Sequence, residues 1–178
     1  MTGLLLVAAT DIELCERPGF VCGVGPVEAA ASTARALALD PPRAVVHVGV
    51  AGARGITPGA LVVGTESVYC DLGAEIPVVD RVAPDAALLE AVRLALPDAL
   101  ALPIGTSAAV GGTVRDLRVE AMEGFGVLRA CALAGVPAVE VRAISNEITE
   151  TDRARWRIGR ALEALAEALP TVLDAAAN

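Results

Sequence analysis

Six apolar runs of strand length punctuate this chain, and helical patterns fill most of the gaps between them. The runs are Leu4–Ala9, Phe20–Val24, Ala44–Val50, Leu61–Val68, Leu100–Ile104 and Ala138–Ile144. Short, continuous apolar runs bounded by Gly, Pro or charge read as buried strands. Pro26 suits the first turn of a helix, in which Val27, Ala30, Ala34 and Leu37 share a face; Asp40-Pro41-Pro42 stops it. From Asp85 to Leu96 the inward positions are Leu88, Leu89, Val92 and Leu96. Met122–Ala134 reads as a helix, with Gly135 as its C-cap and Pro137 beyond. Asp152–Leu169 closes the series, with Ile158, Leu162, Leu165 and Leu169 on one stripe. Alternating strands and helices specify an α/β fold: a single domain over residues 1–178, with a central, mainly parallel, mixed and twisted sheet flanked by helices.

In such folds ligands bind at the carboxyl ends of the strands. Four polar or glycine-rich segments follow strands here: Thr10–Glu13, Gly49–Gly55, Gly105–Gly112 and Ser145–Asn146. The longest apolar runs are too short and too interrupted for a membrane span. The net charge of −8 opposes a phosphate-backbone partner, and aromatic residues are too few to build stacking platforms for nucleic acid. MTGLLLVAATDIE has no basic leader and reads as a first buried strand. Cys15, Cys22, Cys70 and Cys131 lack CxxC spacing and read as small buried hydrophobes in a reducing compartment, the cytoplasm. His47, the only histidine, lies inside an apolar strand, where a core or supporting role fits better than a catalytic triad; zinc would lack ligands. Neither a metal nor a cofactor is expected.

Glu13 follows the first strand. A carboxylate there is either a general base acting on water or a solvated helix-start acid, and position alone leaves both open. Glu123 falls at a helix start, where an ionised carboxylate accepts hydrogen bonds from a diol such as a ribose, or caps the helix. Asn146 offers both a donor and an acceptor, which suits a purine edge with N7 and a 6-oxo group; it also suits a turn. The Gly49–Gly55 loop, with Ala51 and Gly52, permits close backbone approach to a ligand but matches neither a dinucleotide-binding fingerprint nor a P-loop. Glu140 and Arg142 share a strand face and read as an ion pair.

VAATDIE, GVGPVEAA, VGVAGARG, MEGFG and VPAVEVRAISN together make the chain resemble the purine nucleoside phosphorylase and nucleosidase superfamily. Within it the chain is most similar to the futalosine hydrolases, nucleosidases of the menaquinone pathway; Ser145-Asn146 and RARWRIG (Arg153 to Gly159) point that way. The resemblance implies that Glu13 activates a water, that Met122 and Glu123 hold the ribose, and that Asn146, next to Ser145, serves N7 of the base. The segment Ala108–Val110, including Ala109 and Val110, stands where the family's base-binding loop carries an aromatic; Phe125 is a candidate replacement. The Gly23–Gly25 turn has no Lys or Arg before Arg35, and Glu28 sits there, so water is favoured over phosphate as nucleophile. The expected activity is hydrolysis of the N-glycosidic bond of a 5′-modified 6-oxopurine nucleoside, by a homo-oligomer. The alternatives are phosphorolysis and a non-catalytic nucleoside-binding member of the fold.

Overall fold

The computed structural model describes residues 3–73, 76–111 and 116–178. Leu4–Ala8 (β1) runs parallel to Ala44–Ala53 (β3), with Phe20–Val21 (β2) on its outer edge. Ala138–Glu147 (β8) lies parallel to β3 on the other side. Leu61–Tyr69 (β4) crosses antiparallel to β8 and has Leu100–Thr106 (β6) parallel beside it. Val119–Ala121 (β7) is parallel to β6 and antiparallel to the end of β3, and Arg81–Val82 (β5) edges β4. The pairing returns to its start: β3, β8, β4, β6 and β7 form a closed ring, from which β1–β2 and β5 branch.

Strand alternation separates the core into clusters, two of which lie beneath the helices. Val139, Val141 and Ala143 of β8 pack with Leu165, Leu169 and Val172 of Ile158–Ala177 (α4), and with Val92 of Ala86–Ala95 (α2). Val7 and Val45 pack with Ala29 and Leu37 of Pro26–Leu39 (α1), and with Val127, Leu128 and Cys131 of Gly124–Ala134 (α3). This is the expected mixed, mainly parallel sheet flanked by helices. Among the described residues no helix is long and apolar enough to cross a membrane.

Several boundaries differ from the sequence expectation. The Gly49–Gly55 loop is strand as far as Ala53, and Ser145-Asn146 lies inside β8, not after it. Both strands find partners there that sequence does not display: Ala53 pairs with Val119 of β7 and with Glu147 of β8. The third helix begins at Gly124, so Glu123 is its N-cap residue. The last helix is preceded by a 3-10 turn at Arg153–Arg155 and runs on through Pro170, held there by buried Leu165, Leu169 and Val172. Its inward stripe includes Leu165 and Leu169, but Ile158 is exposed. In α1, Val27 is 76% exposed, and Pro26, Ala29, Thr33 and Leu37 face inward. Close packing against α3 selects that rotation: a Cβ on Gly126 would lie 2.6 Å from the Pro26 carbonyl oxygen.

Candidate active site

Glu13 sits in a 3-10 turn, Asp11–Leu14, that follows β1 almost directly. Although close to the surface in sequence terms, it is 7% exposed. The backbone N–H and the hydroxyl of Thr10 donate to its Oε2 at 3.0 and 2.7 Å, and Val50 N–H donates to its Oε1 at 3.0 Å. Three donors therefore fix the carboxylate against the end of β3; Oε2 accepts two of them, and Oε1, which accepts one, keeps a lone pair for a further donor.

Gly49 explains how this carboxylate meets the rest of the site. A Cβ built there would lie 2.7 Å from Glu13 Oε1 and 2.3 Å from Arg142 Nη1. Glycine is required at this position because a carboxylate and a guanidinium converge on the backbone, so its first role is packing rather than ligand approach.

Arg142 is fully buried, and each edge of its guanidinium is accounted for except one. Nε donates to Glu140 Oε1 at 2.8 Å, and Nη2 lies 2.5 Å from His47 Nε2. A guanidinium only donates, so Nε2 is the accepting nitrogen, and His47 Nδ1–H donates to the Val7 carbonyl at 3.1 Å. Burial first and the Arg142 charge second push the His47 pKa well below its ordinary value, which keeps the ring neutral. Glu140 also accepts from the Ser67 hydroxyl and lies beneath the N-terminus of α3, where a Cβ on Gly124 would strike its carboxylate. Burial works to lower the Arg142 pKa, but Glu140, Glu123 and Glu13 together raise it. Its Nη1 makes no hydrogen bond; Glu123 Oε2 is 3.5 Å away. The strand pair predicted between Glu140 and Arg142 is present, and the arginine extends beyond it into the site.

Glu123 does not cap its own helix. Its Oε1 accepts from Gly25 N–H at 3.1 Å, a residue held at φ +93°, and its Oε2 faces Arg142. Burial pushes its carboxyl above the usual range, against the pull of Arg142 and of the Gly25 N–H. Met122 occupies the bend between β7 and α3 and is half-buried.

A second group lies further along β3. Asn146 pairs across the sheet with Gly52, and its Oδ1 accepts from the Ser145 hydroxyl at 2.7 Å. The same hydroxyl is 3.2 Å from the Ala51 carbonyl, and Asn146 Nδ2 donates to the Glu147 carbonyl at 3.0 Å. Ala51, Gly52, Ser145 and Asn146 are thus one patch, three residues along β3 from Gly49. Ala109 and Val110 lie on an exposed loop; Ala109 N–H donates to the Ser107 hydroxyl, and Gly112, the end of the expected loop, lies outside the described residues. The Phe125 ring stacks on Tyr69, with centroids 5.3 Å apart, in a groove between α1 and α3. One face of that ring is therefore already occupied by Tyr69. Glu120 was not anticipated: it is buried next to this patch, in a strand of three residues that carries no apolar run to announce it.

Residues 19–178 match the Phosphorylase superfamily. The chain belongs to that superfamily. Glu13 lies just ahead of the matched stretch. Among characterised relatives, the chain is 41% identical to futalosine hydrolase of Streptomyces coelicolor, over 83% of this chain and 74% of that protein. It is 34% identical to futalosine hydrolase of Thermus thermophilus, over 87% and 81% respectively. Solved superfamily structures share the fold. The 5′-methylthioadenosine/S-adenosylhomocysteine nucleosidase of Neisseria meningitidis, bound to methylthio-immucillin-A, superposes with a TM-score of 0.84 at 19% identity, covering 97% of this chain and 98% of that one. Native futalosine hydrolase of Helicobacter pylori gives 0.85 at 15% identity, covering 97% of each chain.

Proposed function

We propose that this superfamily member hydrolyses the N-glycosidic bond of a 5′-modified 6-oxopurine nucleoside, futalosine, releasing hypoxanthine in menaquinone biosynthesis. The observation that carries the chemistry is the convergence of Glu13 Oε1 and Arg142 Nη1, which makes no hydrogen bond, on the backbone of Gly49. A water between them has an acceptor on one side and a cationic donor on the other. Glu13 takes the proton as the water attacks the anomeric carbon, and the electrons of the C–N bond leave with the base. The transition state has oxocarbenium character, which the neighbouring carboxylates favour. Glu123 and Met122 hold the ribose. Asn146 donates to N7 or O6 of the leaving base, and solvent supplies the proton that an amide lacks. The family membership and the two futalosine hydrolase relatives support this substrate.

Phosphorolysis is the second reading, and Arg142 is the observation in its favour. The fold brings a cation to the site that the sequence near Gly25 does not show. That charge is opposed by Glu13, Glu123 and Glu140, and the Gly25 N–H already serves Glu123. Glu28 also folds over Gly23. These groups repel an anionic nucleophile and favour water. We infer a cytoplasmic reaction from the four cysteines without CxxC spacing, a pattern that suits a reducing compartment.

Hypoxanthine release from futalosine is measured with and without inorganic phosphate. Equal release in both, with no ribose 1-phosphate product, is the expected result. Release that requires phosphate replaces hydrolysis with phosphorolysis.

A further inference from the structure

Behind Arg142 lie three fully buried polar residues, His47, Glu140 and Ser67. In the register of β3 with β8, His47 is opposite Glu140 and Gly49 is opposite Arg142. Cross-strand partners share a face, as do residues two apart on one strand, so these four stand on the same face. Gly49 supplies no side chain, and the Arg142 guanidinium fills the space it leaves. An arginine held at one nitrogen can still turn about its flexible stem. Arg142 is held at two: Nε by Glu140 Oε1 at 2.8 Å, and Nη2 by His47 Nε2 at 2.5 Å. Two fixed points on a planar group set the direction of the third nitrogen. That nitrogen, Nη1, stands 3.5 Å from Glu123 Oε2 and meets Glu13 Oε1 above Gly49.

Each holder is itself held. The Ser67 hydroxyl, from β4, donates to Glu140 Oε2. The start of α3 rests on the same carboxylate, since a Cβ on Gly124 would strike both of its oxygens. Glu123 immediately precedes Gly124, so Glu140 also fixes how far that second carboxylate stands from Arg142. His47 keeps its proton on Nδ1 through the Val7 carbonyl, which leaves Nε2 free to accept. Strength alone does not explain this arrangement. A buried ion pair is weak evidence for stability, and apolar residues of similar volume often replace one without loss. Direction does explain it. We propose that His47 and Glu140 are positioning residues, which hold Arg142 with Nη1 aimed at the water that Glu13 activates. They touch neither that water nor the nucleoside, and they act through the arginine. This inference rests on the nucleosidase reading above and adds to it the residues that orient its cation.

The test compares wild type with His47→Leu and Glu140→Met, which approximate volume but accept no hydrogen bond, and with His47→Gln and Glu140→Gln, which keep an acceptor. Val141→Ala is the control: it lies between Glu140 and Arg142, but its side chain packs in the core on the opposite face. Kinetics are measured with futalosine, per folded molecule. His47→Leu and Glu140→Met are expected to lower kcat by about ten- to a hundredfold, the scale of a small misplacement at a reacting centre. KM stays close to wild type, because the lost interaction belongs to the transition state. The two Gln variants recover most of the loss. Val141→Ala lowers Tm and leaves kcat unchanged. Wild-type kcat in His47→Leu and Glu140→Met, or no recovery with Gln, makes both residues core filling and overturns the proposal. A second measurement needs no variant and no turnover. His47 is the only histidine, so the nitrogen-15 signals of its ring are assignable in the wild-type protein. A neutral ring with its proton on Nδ1 is expected; a proton on Nε2 leaves nothing to accept from Arg142 and overturns the proposal. If wild type releases no hypoxanthine, the nucleosidase reading fails, while the ring signals still decide whether His47 holds the arginine.

Discussion

Glu13 is held by three hydrogen bonds that do not depend on its charge being used, so its removal separates chemistry from folding. Glu13→Gln keeps most of these contacts. Substrate binding is expected to persist while turnover falls by roughly 10²–10⁴, the usual contribution of one general base. Turnover near the wild-type rate would make Glu13 a structural acid. Glu123 sets a pH dependence. Burial raises its pKa, so it takes up a proton at a higher pH than an ordinary carboxylate and then ceases to be a pure acceptor. The acid limb of kcat/KM should therefore lie above the usual carboxylate range; a limb at or below that range contradicts the assignment. His47 sets another, in stability. Its folded pKa is depressed, so the unfolded chain binds a proton that the folded one refuses. The associated stability is present above the unfolded value, near 6.5, and is lost as pH falls below it, at about 1.4 kcal/mol per unit. His47→Gln should flatten the decline of Tm between pH 7 and pH 5, and equal slopes would show that the ring takes up its proton alike in the folded and unfolded states.

At the scale of elements, the site depends on where strands place their glycines. Gly49→Ala forces a methyl group between Glu13 and Arg142. A loss of about 1–3 kcal/mol from overpacking is expected, together with loss of turnover. Gly159→Ala in α4 meets nothing within 4 Å and is the matched control, expected to be neutral or stabilising. Thermal melts and turnover of the two variants check this, and equal effects would remove Gly49 from the account. The same contrast shows how far sequence could reach. The longer strands were visible as apolar runs, and Glu140, Arg142 and His47 stood out as polar residues within them. Which of them meet was not visible, because that depends on register between strands far apart in the chain. Val119–Ala121 is too short to display alternation, so Glu120 went unread. Gly49 looked like a residue of a loop that approaches a ligand, since nothing local reveals that two side chains from elsewhere fill the space above it. Periodicity grouped Val27 with Leu37 on one face but could not tell that Leu37 is buried and Val27 exposed.

For the whole molecule, that outward face carries the prediction. Val27 is 76% and Leu133 71% exposed, on either side of a groove that also contains Tyr69 and Phe125. Two large aliphatic side chains displayed beside a stacked aromatic pair favour self-association. Light scattering at assay concentration should give at least a dimer, and Val27→Asp with Leu133→Asp should shift it toward monomer. A wild-type monomer with full activity would remove oligomerisation from the picture.

The closed ring of β3, β8, β4, β6 and β7 has a consequence for biosynthesis. Of the described strands β8 comes last in chain order, and it pairs directly with both β3 and β4. It also brings Glu140, Arg142, Ser145 and Asn146. Until it inserts, the emerging polypeptide has an unclosed sheet and a carboxylate at position 13 with no guanidinium near it. Sheet closure and assembly of the buried polar cluster thus coincide in one late event.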